Sequence, residues 1–176
     1  MDTREWLTRG TVWLALSLYV AAEAVKAARR GGGSNTAARC LNALGCAAFL
    51  AHVACAFHFY HAWSHREAYA HTARQTAEWF GWNWGGGLFF NYAFALLWLG
   101  EVIWSCAGPM RYRQRPRCMT WVVRGFFLFM TLNGAVVFAH GVVRWFGLVL
   151  CLTLAGCWWS GRTPPRTPNP DSSFPM

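Results

Sequence analysis

Five of the six histidines lie within residues 52–71. His58, His61 and His65 are spaced by three and four residues, so one continuous helix would place them on a single face. Imidazoles at that spacing can share a transition metal such as zinc, copper or iron. The spacing therefore suggests a metal site formed by these three side chains, to which His140 could add a ligand from another helix.

A haem between helices is the second chemistry that the histidines allow, because haem iron takes axial imidazole ligands. His52 lies deeper in its apolar segment and could supply one axial ligand, with His140 supplying the other. In the competing interpretation the histidines bind nothing and lie at a membrane surface, where free imidazoles titrate near pH ~6.5. No H-E-x-x-H motif is present to identify a zinc site. The sequence therefore leaves three alternatives for the cofactor: none, haem or a transition metal.

Four charged residues interrupt otherwise apolar segments: Glu23, Lys26, Glu101 and Arg124. Charges at membrane depth are costly unless they pair or contact water. We predict that Glu101 pairs with Arg124 and that Glu23 pairs with Lys26 or Arg124. The alternative is that these groups line a path for protons or ions.

Two amides, Asn91 and Asn133, also lie inside apolar segments. Interhelical hydrogen bonding is their ordinary role in such segments, and binding of a quinone or a lipid headgroup is the alternative. No nucleophile elbow, phosphate loop or dinucleotide fingerprint occurs in the chain. We therefore predict no catalytic residue and expect a non-enzymatic protein.

The composition places the chain among integral membrane proteins. Of the 176 residues, 55% are hydrophobic and 13% are charged, against about 25% charged in an ordinary soluble domain. The net charge of +9 comes from basic residues that lie mostly between the apolar segments. We interpret them as topology signals and contacts to anionic headgroups, and we expect no nucleic-acid partner.

The predicted fold is an all-α bundle of about five transmembrane helices with one interfacial helix after the second. The interfacial helix, about residues 62–80, is too polar to cross a bilayer. The transmembrane helices are predicted by apolar stretches of about the length that spans a bilayer, at about residues 11–28, 36–60, 85–107, 119–139 and 142–159.

Residues 119–159 are too long for one spanning helix, because a single helix of that length would extend to about 60 Å. We predict a break near His140 and Gly141, and one long helix reaching out of the membrane is the alternative. Residues 161–176 carry five of the seven prolines and no apolar run, which predicts a disordered tail.

Basic residues are unequally divided between the two predicted sides of the membrane: ten on one side and five on the other. The positive-inside rule then predicts a cytoplasmic C-terminus, with the N-terminus and the histidine-rich stretch outside.

The leading functional hypothesis is a scaffold or accessory subunit that contacts the bilayer, anionic headgroups and other membrane subunits. A haem- or metal-binding redox protein is the main alternative, and a transporter of ions or small solutes is the third.

Overall fold

The computed structural model describes residues 2–29, 36–137 and 141–160, and all regular structure in those residues is helical. The predicted all-α fold class is therefore confirmed. Seven α-helices and one π-helical turn (Asn133–Val137) follow in chain order: α1 Thr3–Ala28, α2 Thr36–Tyr60, α3 His65–Phe80, α4 Gly87–Ala107, α5 Pro109–Arg113, α6 Arg117–Leu132 and α7 Val142–Ser160. His140 and the tail from residue 161 lie outside the described residues.

Four stretches of helix are long and apolar enough to cross a bilayer: α1, α2, α4 and the combined stretch Arg117–Val137. Helix α7 is also apolar but shorter, with its apolar core over Val143–Trp159. Helix α3 carries the polar composition predicted for an interfacial helix. These features are compatible with an integral membrane protein, in which spanning helices need about 20 apolar residues.

Two left-handed residues and a helix cap form the turn between α2 and α3. Ala62 and Trp63 adopt positive φ angles of 45° and 60°, which ends α2 because a right-handed helix cannot continue through left-handed residues. The Ser64 hydroxyl then accepts a hydrogen bond from the Glu67 backbone N–H at 3.3 Å and caps α3. Gly81, with φ 77°, closes the other end of α3.

A break separates the two helices of the 119–159 region. The last turn of the first one widens into the π-turn, and Gly141 has a φ of 63°. Helix α7 then packs back on the π-turn so closely that a Cβ at Gly147 would collide with the Ala135 carbonyl.

Successive long helices run in alternating directions. The C-terminal parts of α1, α4 and α7 meet the N-terminal parts of α2 and α6 at one end of the bundle. We call this the basic end, since Lys26, Arg115 and Arg124 lie there. The opposite end, with α3 and the start of α1, is the histidine end.

Aromatic side chains fill the centre between the two ends. Phe127 stacks on Tyr19 at 4.4 Å between ring centroids and meets Phe94 edge-on at 4.7 Å. Trp98 is completely buried beside them and donates from Nε1 to Asn42 Oδ1 at 3.1 Å. This packed core joins α1, α2, α4 and α6 and holds the two ends in fixed relation.

Candidate functional site

The structure separates the three histidines that the spacing placed on one helical face. His58 belongs to α2, His61 lies in the turn, and His65 begins α3. The shared face was therefore a wrong prediction, because the left-handed turn at Ala62 and Trp63 interrupts the helix. Within the described residues, no group of three or more His, Cys, Asp or Glu side chains is arranged to hold a metal ion.

Each of the outer histidines has its own neighbours. Nδ1 of His65 lies 3.0 Å from the hydroxyl of Tyr92, and His58 contacts the ring of Phe59. His52 donates from Nδ1 to the backbone carbonyl of Thr8 at 2.8 Å, which ties α2 to α1. The proposed haem partner of His52, His140, lies outside the described residues.

His61 has an unusual environment in the turn. Its Nδ1 atom is buried and has no hydrogen-bond partner in the described part of the chain. Its ring lies 5.3 Å from that of His71. Burial lowers the pKa of His61, and the neighbouring His71 lowers it further, while Glu67 acts in the opposite direction.

Two adjoining cavities lie at the histidine end, and we call them the two chambers of one cleft because they share part of their lining. The first, of about 510 Å³, lies between α1, α2, α3, α4 and α6 and is walled mainly by apolar and aromatic side chains, including Leu16, Phe90 and Phe129. The second, of about 770 Å³, reaches the polar start of α1 and the turn after α2. Both volumes fall in the range of about 300–1,000 Å³ that is typical of small-molecule sites.

Five residues line both chambers and define their shared wall: Phe49, His52, Thr72, Gln75 and Asn91. Four of these five are hydrogen-bonding side chains. Asn133 lines the first chamber, so the structure brings both predicted polar residues of the apolar segments, Asn91 and Asn133, to one cleft. Asn133 donates from Nδ2 to the Phe129 carbonyl of its own helix, at 2.8 Å.

At the basic end, Glu23 is the centre of a buried network. Its carboxylate accepts from Lys26 Nζ at 2.7 Å, from Trp158 Nε1 at 2.7 Å and from Arg124 Nη2 at 3.4 Å. The network links α1 to α6 and α7. Glu23 thus contacts both of the cations that were named as alternative partners.

The second buried carboxylate has a different partner from the one predicted. Glu101 accepts from Arg115 Nη1 at 2.6 and 2.7 Å and from the Tyr112 hydroxyl at 2.6 Å. Its predicted pairing with Arg124 was wrong, because Gly108 and Pro109 turn the chain after α4 and bring α5 and Arg115 back over Glu101. Burial and this hydrogen bond raise the pKa of Tyr112 above its ordinary value, so the phenol stays a donor.

Sequence reasoning missed several members of both sites. Tyr112 and Arg115 lie between two predicted transmembrane helices, where the basic residues were interpreted only as topology signals and headgroup contacts. Gln75 and Thr72 lie four and one residues from His71 on an amphipathic helix. Their spacing could have marked a polar face on α3, but nothing in the sequence indicates what that face meets.

No family model matches the chain, and neither curated proteins nor solved structures show a significant similarity to it. The residues and geometry of the two ends are therefore the basis for a functional argument.

Proposed function

We propose that this chain is a non-enzymatic membrane protein that binds a single-chain amphiphile with an uncharged or zwitterionic head in the cleft at the histidine end. The first chamber would take the apolar chain and the second would take the head. The shared wall would supply the hydrogen bonds where chain and head meet.

The observation that carries the proposal is the pair of amides on the shared wall. Neither the side-chain amide of Asn91 nor that of Gln75 makes a hydrogen bond within the described part of the chain, and both side chains line the cleft. Asn91 belongs to α4, one of the helices apolar enough to span a bilayer. A polar group that faces an apolar cleft is costly without a partner, and an amphiphile head would provide one.

The charge of the second chamber supports a head without net charge. Its wall carries Asp2, Arg4, Glu5 and Arg9, two acids and two bases. Arg9 pairs with Glu5 at 3.0 Å, and Arg4 lies 3.8 Å from Asp2. Since these charges compensate one another, the chamber offers no excess charge to a strongly ionic head.

Photolabelling tests the proposal. The full chain in mild detergent would be exposed to a monooleoylglycerol with a diazirine in its acyl chain, and labelled peptides would be mapped. We expect labels in α4 and α6, lost on competition with unlabelled monooleoylglycerol and less sensitive to oleate.

The matched variants are Asn91→Leu and Asn83→Leu, since Asn83 is exposed in the loop before α4 and does not line the cleft. The Asn91→Leu variant would lose two hydrogen bonds to the amphiphile head, at about 1 kcal/mol each. Its labelling by the probe should therefore fall roughly tenfold or more. Asn83→Leu should label as the parent does. Equal labelling of all lipid-facing helices in both variants would contradict the proposal.

A scaffold or accessory-subunit function remains a second candidate because one face of α2 is exposed along its whole length. The exposed positions recur every three or four residues and are mostly small: Ala37, Cys40, Leu44, Ala47, Ala51, Ala54 and His58. Such a stripe allows another helix to approach closely in lipid. A single-cysteine Ala47→Cys variant should form an oxidative crosslink at this face, whereas Leu96→Cys on the exposed side of α4 should not.

We propose, from the positive-inside rule, that the basic end lies in the cytoplasm and the histidine end outside. Membrane-impermeant thiol reagents would test this orientation on a protein in which all native cysteines are replaced and a single cysteine is introduced by Ser64→Cys or Gln114→Cys. Only the first should react in intact cells.

A further inference from the structure

The basic end contains a cavity of about 190 Å³ between α1, α2, α4, α5 and α6. A cavity needs about 10–15 Å³ to hold one water molecule, so this cavity has room for a polyatomic ion. Four cations and two carboxylates line it, an excess of two positive charges: Lys26, Arg113, Arg115 and Arg124 against Glu23 and Glu101.

Arg124, on the inner wall, uses little of its hydrogen-bonding capacity. A guanidinium has five N–H donors, and within the described residues Arg124 makes one hydrogen bond, to Glu23 at 3.4 Å. That distance exceeds the roughly 2.7–2.9 Å typical of charge-assisted bonds. Glu23 already accepts two shorter bonds, from Lys26 and Trp158.

Two indole rings hold the Arg124 guanidinium in place. Its Cζ atom lies 5.4 Å from the ring centroids of both Trp121 and Trp158, within reach of a cation–π interaction. Arg124 is therefore positioned on the inner wall with unused donors. Arg113 lies exposed on α5, and it lines the cavity as well.

We propose that this cavity binds a phosphate group, supplied by an anionic phospholipid headgroup or by free phosphate. Arg124 donates from the inner wall, Arg113 from the mouth and Lys26 from α1. The planar guanidinium fork matches phosphate oxygens, and the bound anion balances the excess charge. The site lies at the opposite end from the amphiphile cleft, so it does not depend on the proposed function.

Isothermal titration calorimetry on the full chain in dodecyl maltoside tests the site with three probes: inorganic phosphate, dihexanoylphosphatidic acid and dihexanoylglycerol. We expect one phosphatidic acid bound per chain and no binding of dihexanoylglycerol, which has the same acyl chains without phosphate. If inorganic phosphate binds as tightly as phosphatidic acid, the source is soluble phosphate. If only phosphatidic acid binds, the source is the lipid.

The matched variants are Arg113→Gln and Arg111→Gln, because both arginines are exposed on α5 and only Arg113 lines the cavity. We expect Arg113→Gln to weaken binding about tenfold, as loss of a charged hydrogen bond would, and Arg111→Gln to leave it nearly unchanged. Arg124→Lys, which keeps the charge next to Glu23 but loses the fork, should also weaken binding. The proposal is overturned if neither phosphate probe binds, or if the two α5 variants weaken binding equally.

Discussion

Replacing Glu23 by glutamine tests whether the buried network at the basic end stabilises the bundle. Glutamine has nearly the same shape and can still accept a hydrogen bond from Trp158, but it has no charge. Lys26 and Arg124 would then both lose their counter-charge. The substitution therefore isolates the electrostatic part of the network.

The magnitude follows from the burial of the carboxylate. The Glu23 side chain is 5% exposed, whereas Lys26 and Arg124 are 29% and 26% exposed. Removing one partner of a buried ion pair costs about 3–5 kcal/mol. Because the cations are partly exposed and the Trp158 bond survives, we expect the lower end, about 3 kcal/mol. This corresponds to roughly two orders of magnitude in the unfolding equilibrium constant.

Glu5→Gln is the matched control on the same helix. Glu5 pairs with Arg9 one turn away, and its side chain is 34% exposed. An exposed pair of this kind contributes about 0.3–0.5 kcal/mol, so the control should change stability little. Both variants would be unfolded by titrating SDS into dodecyl maltoside micelles, with far-UV circular dichroism as the signal.

A third variant separates charge from packing. In the Glu23→Gln background, Lys26→Met removes one of the two uncompensated cations and should restore part of the lost stability, with a coupling energy above about 1 kcal/mol. The reasoning is refuted if Glu23→Gln and Glu5→Gln change the unfolding free energy equally, or if Lys26→Met adds to the loss.

Three further predictions concern other parts of the molecule. Gly147→Ala should cost about 1–3 kcal/mol because its methyl group would collide with the π-turn; Gly156→Ala on the same helix, where nothing lies within 4 Å, should be neutral in the same SDS titration. Tyr112→Phe should cost about 1.5–3 kcal/mol, since it removes a hydrogen bond to the ionised Glu101, and an unchanged unfolding midpoint would argue against that bond. For His61, NMR titration should give a pKa below the ordinary value of about 6.5. The native state then binds fewer protons than the unfolded state, so the protein should lose stability as the pH falls below ~6.5. The His61→Gln variant should lose less stability on acidification than the parent.

Much of the fold could be predicted from the sequence because membrane insertion depends on local composition. An apolar stretch of about 20 residues forms a helix in lipid wherever it occurs, since its backbone must satisfy its own hydrogen bonds. Helix boundaries were less predictable. Helix α1 begins at Thr3 and not near residue 11. The apolar stretch marks only part of this helix, because the more polar turns before it are helical as well.

The candidate sites could be predicted only in part. The charged residues of the apolar segments were recognisable because each is an exception in its own segment, and they do lie at one end of the bundle. The partners of Glu23 were among those predicted, but the partner of Glu101 was not predictable, since it depends on the path of the chain after α4. The turn at Gly108 and Pro109 returns Arg115 to Glu101, and no property of either residue indicates that contact.

The sequence by itself determined that the chain consists of apolar helices with charges buried near one end and histidines near the other. Tertiary structure alone decided that Asn91 and Gln75 share the wall of one cleft and that Glu101 pairs with Arg115 and not with Arg124. The physical reason is that hydropathy is a property of a single segment. These contacts instead depend on the rotation of each helix about its axis and on turns that bring distant residues together.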